Sequence, residues 1–479
     1  MKRLFLLLTL LSFPLAVGAA DHFIRDGATG GSCTDWTTAN ACDNLPATLT
    51  RGDTYYIADG SYGAYTFNDA VSGTTLITIK KAIESDHGTS TGWLSSYGDG
   101  SADFTDWNFF TSYWEADGQV GQWADARLGV PAVPNFVAYG FRILKNTQSS
   151  GDKLIEIGVE ATPVTNVTIR HTEMAYTNTP RMSGNWAQDQ FIIIAWADDV
   201  LINFCWLHDA GAPSLILADA SNFTMEFSVM ERNGHAAIAE GFPPETEQGG
   251  PMHASNIGGD NHVFRYNIIR DWRSTGALNI HAEGAGITNF KVYGNWFTTT
   301  GYWASPSEAD DENGVVSAVT ATSGNTAFVY NNTFVDIDYG CTIMNFGSFT
   351  SRDIRNNIFY NCRTCSQSGG VCTDGDPVLP PLATHDFNWF FNSGEPWSET
   401  NEQDGTGDPF VNLSINDYHL AAATDAGDTT IGGEFDTDPD GLTRGADGTW
   451  DRGALEFVAG NPSTLISGSV KISGAVVVQ

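Results

Sequence analysis

Five of the ten histidines in this chain of 479 residues, His208, His235, His253, His262 and His281, fall within residues 208–281. Imidazole changes charge near neutral pH, so histidines with acids and a guanidinium at hand can move protons to and from a substrate. Arg265, Glu240 and Glu283 lie in the same stretch. The resulting candidate site takes His235 or His281 as base, Arg265 as the positive group facing an acidic substrate, and Glu240 and Glu283 as further carboxylates. Tyr302 and Trp303, in the insertion TTGYWASPSEADDENG (299–314), are the aromatic rings best suited to stack on a sugar.

A second constellation sits near the C-terminus, where DTDPDGLTRGAD places Asp436, Asp438 and Asp440 alternately, Gly441 next, and Asp447 at the twelfth position. Alternating carboxylates around a Gly turn suit one hard cation, so a structural calcium loop is expected there, with Asp in place of the usual Glu. No pattern for an organic cofactor stands out.

The balance of 57 acidic against 23 basic residues, a net charge of -34, opposes nucleic-acid binding. Lys2 and Arg3, the apolar run from Leu4 to Leu11, and the small residues Gly18, Ala19 and Ala20 form a signal-peptide pattern, which predicts a secreted or periplasmic protein. No later stretch has the roughly 20 apolar residues of a membrane helix. Of seven cysteines, Cys33 and Cys42 close one short loop, and Cys362, Cys365 and Cys372 offer a second pair. Cys205 and Cys341 lie in strand-like runs and are expected as buried thiols.

The elements that must position these groups repeat. NVTIRHTEM (166–174), DVLINFCWL (199–207), NFTMEFSVM (222–230), NHVFRYNII (261–269), NFKVYGNWF (289–297), TAFVYNNTF (326–334) and DIRNNIF (353–359) align on one template. Stacked in parallel, they form a column of Asn267, Asn295, Asn332 and Asn357 and a column of Phe297, Phe334 and Phe359, with rungs about 4.8 Å apart. The outward position of this strand reads Arg170, Asn203, Glu226, Arg265, Tyr293, Tyr330 and Arg355. Of these, Arg170, Tyr293 and Tyr330 join Tyr302 and Trp303 as candidate carbohydrate contacts. A solvated face with salt bridges between coils explains the column equally well.

A further strand follows in each copy: QFIIIAW (190–196), PSLILAD (213–219), GHAAIAE (234–240), GALNIHA (276–282), GVVSAVT (314–320) and GCTIMNF (340–346). Its inward columns read Ile192, Leu215, Ala236, Leu278, Val316, Thr342 and Ile194, Leu217, Ile238, Ile280, Ala318, Met344. Alternation then turns His235 and His281 outward, roughly 13 Å apart along the strand direction. The insertion EGFPPETEQGGPMHASNIGGD (240–260) is expected to wall a groove.

The fold expected is all-β, a single-stranded right-handed parallel β-helix. Its parts are a signal peptide (1–20), an N-terminal cap with irregular coils (21–145), regular coils (146–362), degenerate coils with a Gly/Asp-rich region closing the last coil (363–457), and a tail (458–479).

From GDTYYIADGSY near the start to DYHL, DAGD and DRGALEF near the end, the chain resembles the pectin-lyase-like superfamily of secreted bacterial β-helix proteins. MERNGHAAIAEG (230–241), GALNIHAEG (276–284) and ITNFKVYGNWF (287–297) are similar to the site region of polysaccharide lyase family six, the alginate lyase and chondroitinase B type. That resemblance implies acidic calcium ligands, a Lys base and an Arg. Here the acidic ligands fall on His235 and Ala237, the Arg falls on His281, and no Lys occurs between Lys153 and Lys291. The function expected is cleavage of an acidic polysaccharide by β-elimination. The rivals are a glycan-binding surface protein without catalysis and a hydrolase using carboxylates such as Glu240 or Glu283.

Overall fold

The computed structural model describes residues 18–121, 139–146, 153–159, 162–177, 190–210, 215–233, 252–255, 260–272, 277–281, 287–298, 316–318, 325–337, 349–362, 383–393 and 398–458. One coil shows how the chain winds. Val164–Arg170 lies on a first face, Thr172–Tyr176 on a second and Gln190–Ala195 on a third, and Ala197–Asn203 returns to the first face beside the strand that began the turn. Repetition stacks twelve parallel strands on the first face, from Asp21–Ile24 to Ala383–Asp386. The other two faces are joined near the N-terminus, because the long strand Ala102–Phe109 pairs with Phe141–Lys145 through its first half and with Lys153–Ile157 through its second. The architecture is a parallel β-helix, as its repeats predict.

Alternation fills the interior. Val200, Ile202, Phe223, Met225, Phe264, Phe290, Val292, Ala327, Val329 and Ile354 of the first face are all buried in one continuous core. The residues between them point out.

The nine-residue template, which reads as one strand, is two strands joined by a sharp corner. His171, Phe204, Phe227, Tyr266, Gly294, Asn331, Asn356 and Phe387 stand at that corner with positive φ. A left-handed residue costs a bulky side chain roughly 1–2 kcal/mol. Ring stacking offsets part of this: His171, Phe204, Phe227 and Tyr266 follow one another at 5.1, 5.2 and 5.1 Å. Gly294 ends the stack because a Cβ there would lie 2.6 Å from the Tyr266 ring. Corners thus rely on aromatics and Asn as well as Gly.

The asparagine column forms a continuous ladder. Oδ1 of Asn295 accepts the backbone N–H and the amide of Asn267 (2.9 and 3.1 Å), Asn332 does the same for Asn295, and Asn357 for Asn332. Ser228 extends it at one end and Asn388 at the other, where Glu399 accepts the last two N–H groups. The rings of Phe297, Phe334 and Phe359 stack at 4.9 and 4.8 Å, with Phe390 added at 5.2 Å.

Two expectations are corrected. In the third face, Met252–Ser255 pairs with Leu215–Ala218 on one side and Leu278–His281 on the other. Met252 and Ala254 therefore hold the column positions expected for Ala236 and Ile238. The reason is register: Met252 matches Leu215 and Leu278 as an apolar residue of similar volume, and the strand lies inside the stretch 240–260 that reads as a loop. Second, the C-terminal region does not merely close the last coil. It runs back along the corner between the first and second faces as a strap. Tyr266 donates its OH to the carbonyl of Thr437, Gly453 donates its N–H to the carbonyl of Asn356, and Arg452 donates to the carbonyl of Asn388.

The resembling motifs at the two ends have structural tasks. Asp53 of the opening motif accepts from the N–H of Ala20 and pairs with His22, while Cys33–Cys42 forms a disulfide beside the first strand. In DRGALEF, Asp451 accepts the N–H groups of Thr424 and Phe457, and Ala454 and Leu455 are buried against the coils. Cys205 is buried as expected, and burial pushes its thiol up to about 12. Cys341, Cys365 and Cys372 lie outside the described residues.

Candidate functional site

Of the catalytic residues expected from sequence, His235, Glu240 and Glu283 lie outside the described residues, as do Tyr302 and Trp303. His281 is placed by its backbone alone: it ends Leu278–His281 on the third face, in register with Ser255. Arg265 ends Val263–Arg265 on the first face, at its far edge beside the Tyr266 corner. The two positions belong to different faces. Arg265 is also already engaged, since its Nε donates to Glu226 Oε2 (2.6 Å) and its NH1 to the Tyr293 OH (3.0 Å). Asn203 donates to the other Glu226 oxygen at 2.6 Å.

That column is in the expected register, Arg170, Asn203, Glu226, Arg265, Tyr293, Tyr330 and Arg355. It is no open groove. Phe435 of the strap meets Tyr293 and Tyr330 edge-on at 4.8 and 4.9 Å, and both tyrosines are buried. Arg355 reaches Asp353 and Asp428, and Tyr330 donates to Asp353. Arg170 lies nearer the N-terminus, 3.4 Å from Glu115. Among the described residues the column is a face of cross-coil salt bridges and hydrogen bonds, with Phe435 of the strap packed on its tyrosines.

In the expected calcium loop, Asp438, Asp440 and Asp447 are engaged with donors of this chain. Asp438 turns one oxygen to the N–H groups of Asp440 and Leu442 and the other to the N–H of Glu456. Asp440 pairs with His419 at 2.9 Å, Asp447 accepts from the N–H of Thr449, and the Asp436 carbonyl accepts from Arg444. Among the described residues no three acidic, histidine or cysteine side chains gather to hold a metal. The alternating acids fix a turn of the strap through its backbone donors.

Titratable groups do converge on the second face, next to the corner that leads to the third. His208 sits between two carboxylates, with Nδ1 2.6 Å from Asp209 Oδ2 and Nε2 3.3 Å from Glu173 Oε1. Trp206 stacks on the imidazole at 3.7 Å and donates its indole N–H to Glu231 (2.9 Å). Glu231 is bound by Arg270 (2.5 Å) and by Arg232, whose guanidinium also grips both oxygens of Asp209 at 3.0 and 2.9 Å.

The ladder register creates this cluster: Glu173 pairs with Trp206, and His208, Glu231 and Arg270 occupy one position on three successive strands. Burial alone would depress the imidazolium of His208, but the bonds to Asp209 and Glu173 outweigh it and raise its pKa. Burial would raise Glu231, and the charges of Arg270 and Arg232 overturn that and hold it ionised. Three carboxylates, two guanidiniums and an imidazole whose pKa is raised thus share one patch. Such a patch holds a proton donor, a carboxylate base and positive charge within reach of one another.

The signal for this cluster lay immediately beyond the repeat template. The pairs His208-Asp209, Glu231-Arg232 and Arg270-Asp271 follow the template's last apolar residue in three consecutive copies. Extending the alignment by two positions brings them into one column.

No family model and no curated protein matches the chain. Solved structures do. Pectate lyase Pel9A aligns over 92% of this chain and 97% of its own at 12% identity, with a TM-score of 0.50. XylC in complex with xylose covers 91% and 98% at 12% identity and TM-score 0.44. A PL6 family polysaccharide lyase from Pseudopedobacter saltans covers 74% and 87% at 10% identity and TM-score 0.40. At these identities the likeness concerns architecture alone, a parallel β-helix that aligns with the pectate lyase over 92% of this chain.

Proposed function

We propose that the protein is an exported enzyme that cleaves an acidic, uronate-containing polysaccharide by β-elimination on the second face. One observation carries this: His208, bound through both ring nitrogens to Glu173 and Asp209, lies beside Arg232 of the next coil, with Arg270 one coil further on. The fold likeness to a pectate lyase along nearly the whole chain supports it, and so does the leader-like start of the sequence.

Elimination from a uronate needs positive charge at the carboxylate, a base for the proton α to it, and an acid for the departing oxygen. Arg232, the more exposed of the two guanidiniums, provides the charge when the substrate carboxylate replaces one of its present partners, Asp209 or Glu231. Glu173 takes the α proton, the electron pair forms the new C=C bond, the C–O bond β to the carboxylate breaks, and His208 gives its proton to the leaving oxygen. Glu173 and His208 are already hydrogen-bonded, so the proton taken by one returns to the other and the site is reset. Asp209 orients the ring and favours its charged form, as an acid at neutral pH requires.

The test is incubation with alginate, pectate and glycosaminoglycans while following the ultraviolet absorbance of the unsaturated ends. Absorbance that appears with wild type and drops at least a hundredfold in His208→Gln supports the assignment. Reducing ends without absorbance mark a hydrolase, and affinity without either mark a binding protein; both results end the lyase proposal.

A further inference from the structure

The second face is open on one side of Glu173 and closed on the other. The column that holds Glu173 reads Ser61, Asp103, Arg142, Glu173, Trp206, Val229, Ile268 and Trp296 from the N-terminal coils onward. Beyond Trp206 it is sealed: Val229, Ile268 and Trp296 are buried, and so are Glu231, Arg270 and Thr298 of the neighbouring column. The cover there is the strap together with a hairpin of Phe410–Asn412 and Asp417–Leu420, whose Tyr418 OH meets Thr298 Oγ1 at 3.2 Å.

Toward the N-terminus the same column stays accessible. The side chains of Asp103 and Arg142 are 29% and 31% exposed, against 15% for Glu173, and Ser61 is exposed. A sugar chain held at Glu173 and His208 therefore extends over Arg142, not over Val229. Arg142 stands one rung from Glu173, about 4.8 Å between backbones. Its Nε and Nη2 donate to the two oxygens of Asp103 at 2.8 and 2.5 Å, which fixes the plane of the guanidinium. That leaves Nη1 and the outer N–H of Nη2, the end of the fork, for a second carboxylate. The next cation on its strand, Lys145, is paired with Asp106 at 2.8 Å.

We propose that Arg142 binds the carboxylate of the sugar next to the one being cleaved, on its N-terminal side, so that the protein selects consecutive uronates over uronates alternating with neutral sugars. The inference rests on the reaction placed at Glu173 and His208 above. A guanidinium gives a carboxylate two parallel hydrogen bonds, and one whose orientation is already fixed loses little freedom in doing so. Asp103 is the positioning residue that holds the fork.

Calorimetry in a His208→Gln background keeps substrates intact while oligosaccharides of galacturonate and of mannuronate are titrated. Arg142→Gln is expected to weaken binding at least tenfold. In the otherwise wild-type enzyme it should raise KM at least tenfold while kcat changes less than threefold. Arg142→Lys keeps the charge without the fork; it should lose most of the same affinity, and it is the check if the Gln variant melts early. Lys80→Gln, which removes a partly exposed cation of the first face, should bind like the parent. Wild type should favour alginate or pectate over hyaluronan at least tenfold in kcat/KM, and Arg142→Gln should shrink that margin.

Equal affinity in the parent and Arg142→Gln overturns the subsite while elimination that depends on His208 still stands. A loss of the same size in Lys80→Gln also overturns it, because net charge then explains the effect. Binding that depends on Arg142 with no double bond formed keeps the subsite and ends the elimination chemistry. A parent that binds none of the oligosaccharides sinks both.

Discussion

The second face is one ladder with two surfaces. From Glu173 to Arg270 its outward positions hold Glu173, Trp206, His208, Glu231 and Arg270, with Val229 and Ile268 already under cover; from Thr298 to Phe391 they hold Thr, Val, Ile and aromatic residues under the hairpin and strap. The backbone pairing is the same in both halves, and so is the aromatic or aliphatic column that fills the interior. What differs is only what the outward residue must meet: a covering segment of the same chain, or a charged neighbour on the next coil. The scaffold tolerates both because its stability comes from the inside, which leaves the outside to be specialised coil by coil.

The largest effect should come from removing the cover. A chain ending at Gly407 loses Phe410, Tyr418, Leu420 and Leu455 from the apolar half, at about 1.5–3 kcal/mol per side chain. The sum, on the order of 10 kcal/mol, matches the whole net stability of many domains. The truncated protein is expected to bind a hydrophobic dye and to be digested rapidly by protease, whereas the comparison fails if it melts cooperatively like the full chain.

The charged half should break differently. Glu231→Gln leaves Arg232 and Arg270 without their shared buried carboxylate and should cost about 3–5 kcal/mol in urea unfolding. A change under about 1 kcal/mol would mean that the cluster contributes nothing to holding the coils together.

Both halves share the asparagine ladder, so its rupture sharpens what is common to them. Asn332→Leu removes the acceptor for two N–H bonds from Asn295 and the donor to the Val292 carbonyl, all buried. The expected cost is about 3 kcal/mol. In the exposed ladder that links Asn261 to Asn222 and Asn289 (3.0 and 2.7 Å), Asn261→Ala should cost only a few tenths of that because water replaces the lost partners.

Gly453 probes the cover at one point. Its φ is +87°, and a Cβ there would lie 2.5 Å from Ile358 Cδ1 and 2.9 Å from Thr333 Oγ1. Gly453→Ala should lower the melting temperature by several degrees, roughly 1–2 kcal/mol, without touching the charged half.

The smallest effect is a pH dependence. The pKa of His208 is raised on folding, so its bonds to Asp209 and Glu173 contribute stability fully below its unfolded value near 6.5. That contribution is lost as pH rises through the folded pKa. Wild type should therefore lose stability relative to His208→Gln between mildly acidic and alkaline pH, and a constant difference would show that the imidazolium is not held. Activity should fall over the same alkaline range, as His208 gives up the proton it must donate.

The β-helix was legible because parallel stacking repeats the same residue types at the same place. Asn267, Asn295, Asn332 and Asn357 announce their ladder, and Phe297, Phe334 and Phe359 announce theirs. The corner was less legible, since Phe204, Phe227 and Tyr266 hold left-handed positions that usually call for Gly or Asn, and only their mutual stacking makes them tolerable. The site was least legible. Arg265 and Tyr293 look available in an alignment, yet whether they face solvent depends on where residues 421–457 travel, and the contact of Phe435 with Tyr293 joins positions over a hundred residues apart. His208 was visible as one histidine among five, but its partners Glu173 and Glu231 come from neighbouring coils.

The most direct test of the central claim compares wild type and His208→Gln on uronate polymers at neutral pH, reading unsaturated ends by ultraviolet absorbance, with Glu173→Gln as the matching base variant. Abundant unsaturated ends from wild type, and a loss of at least a hundredfold in each variant with the melting curve retained, is the predicted result. Undiminished elimination in His208→Gln would contradict the placement of the site on the second face.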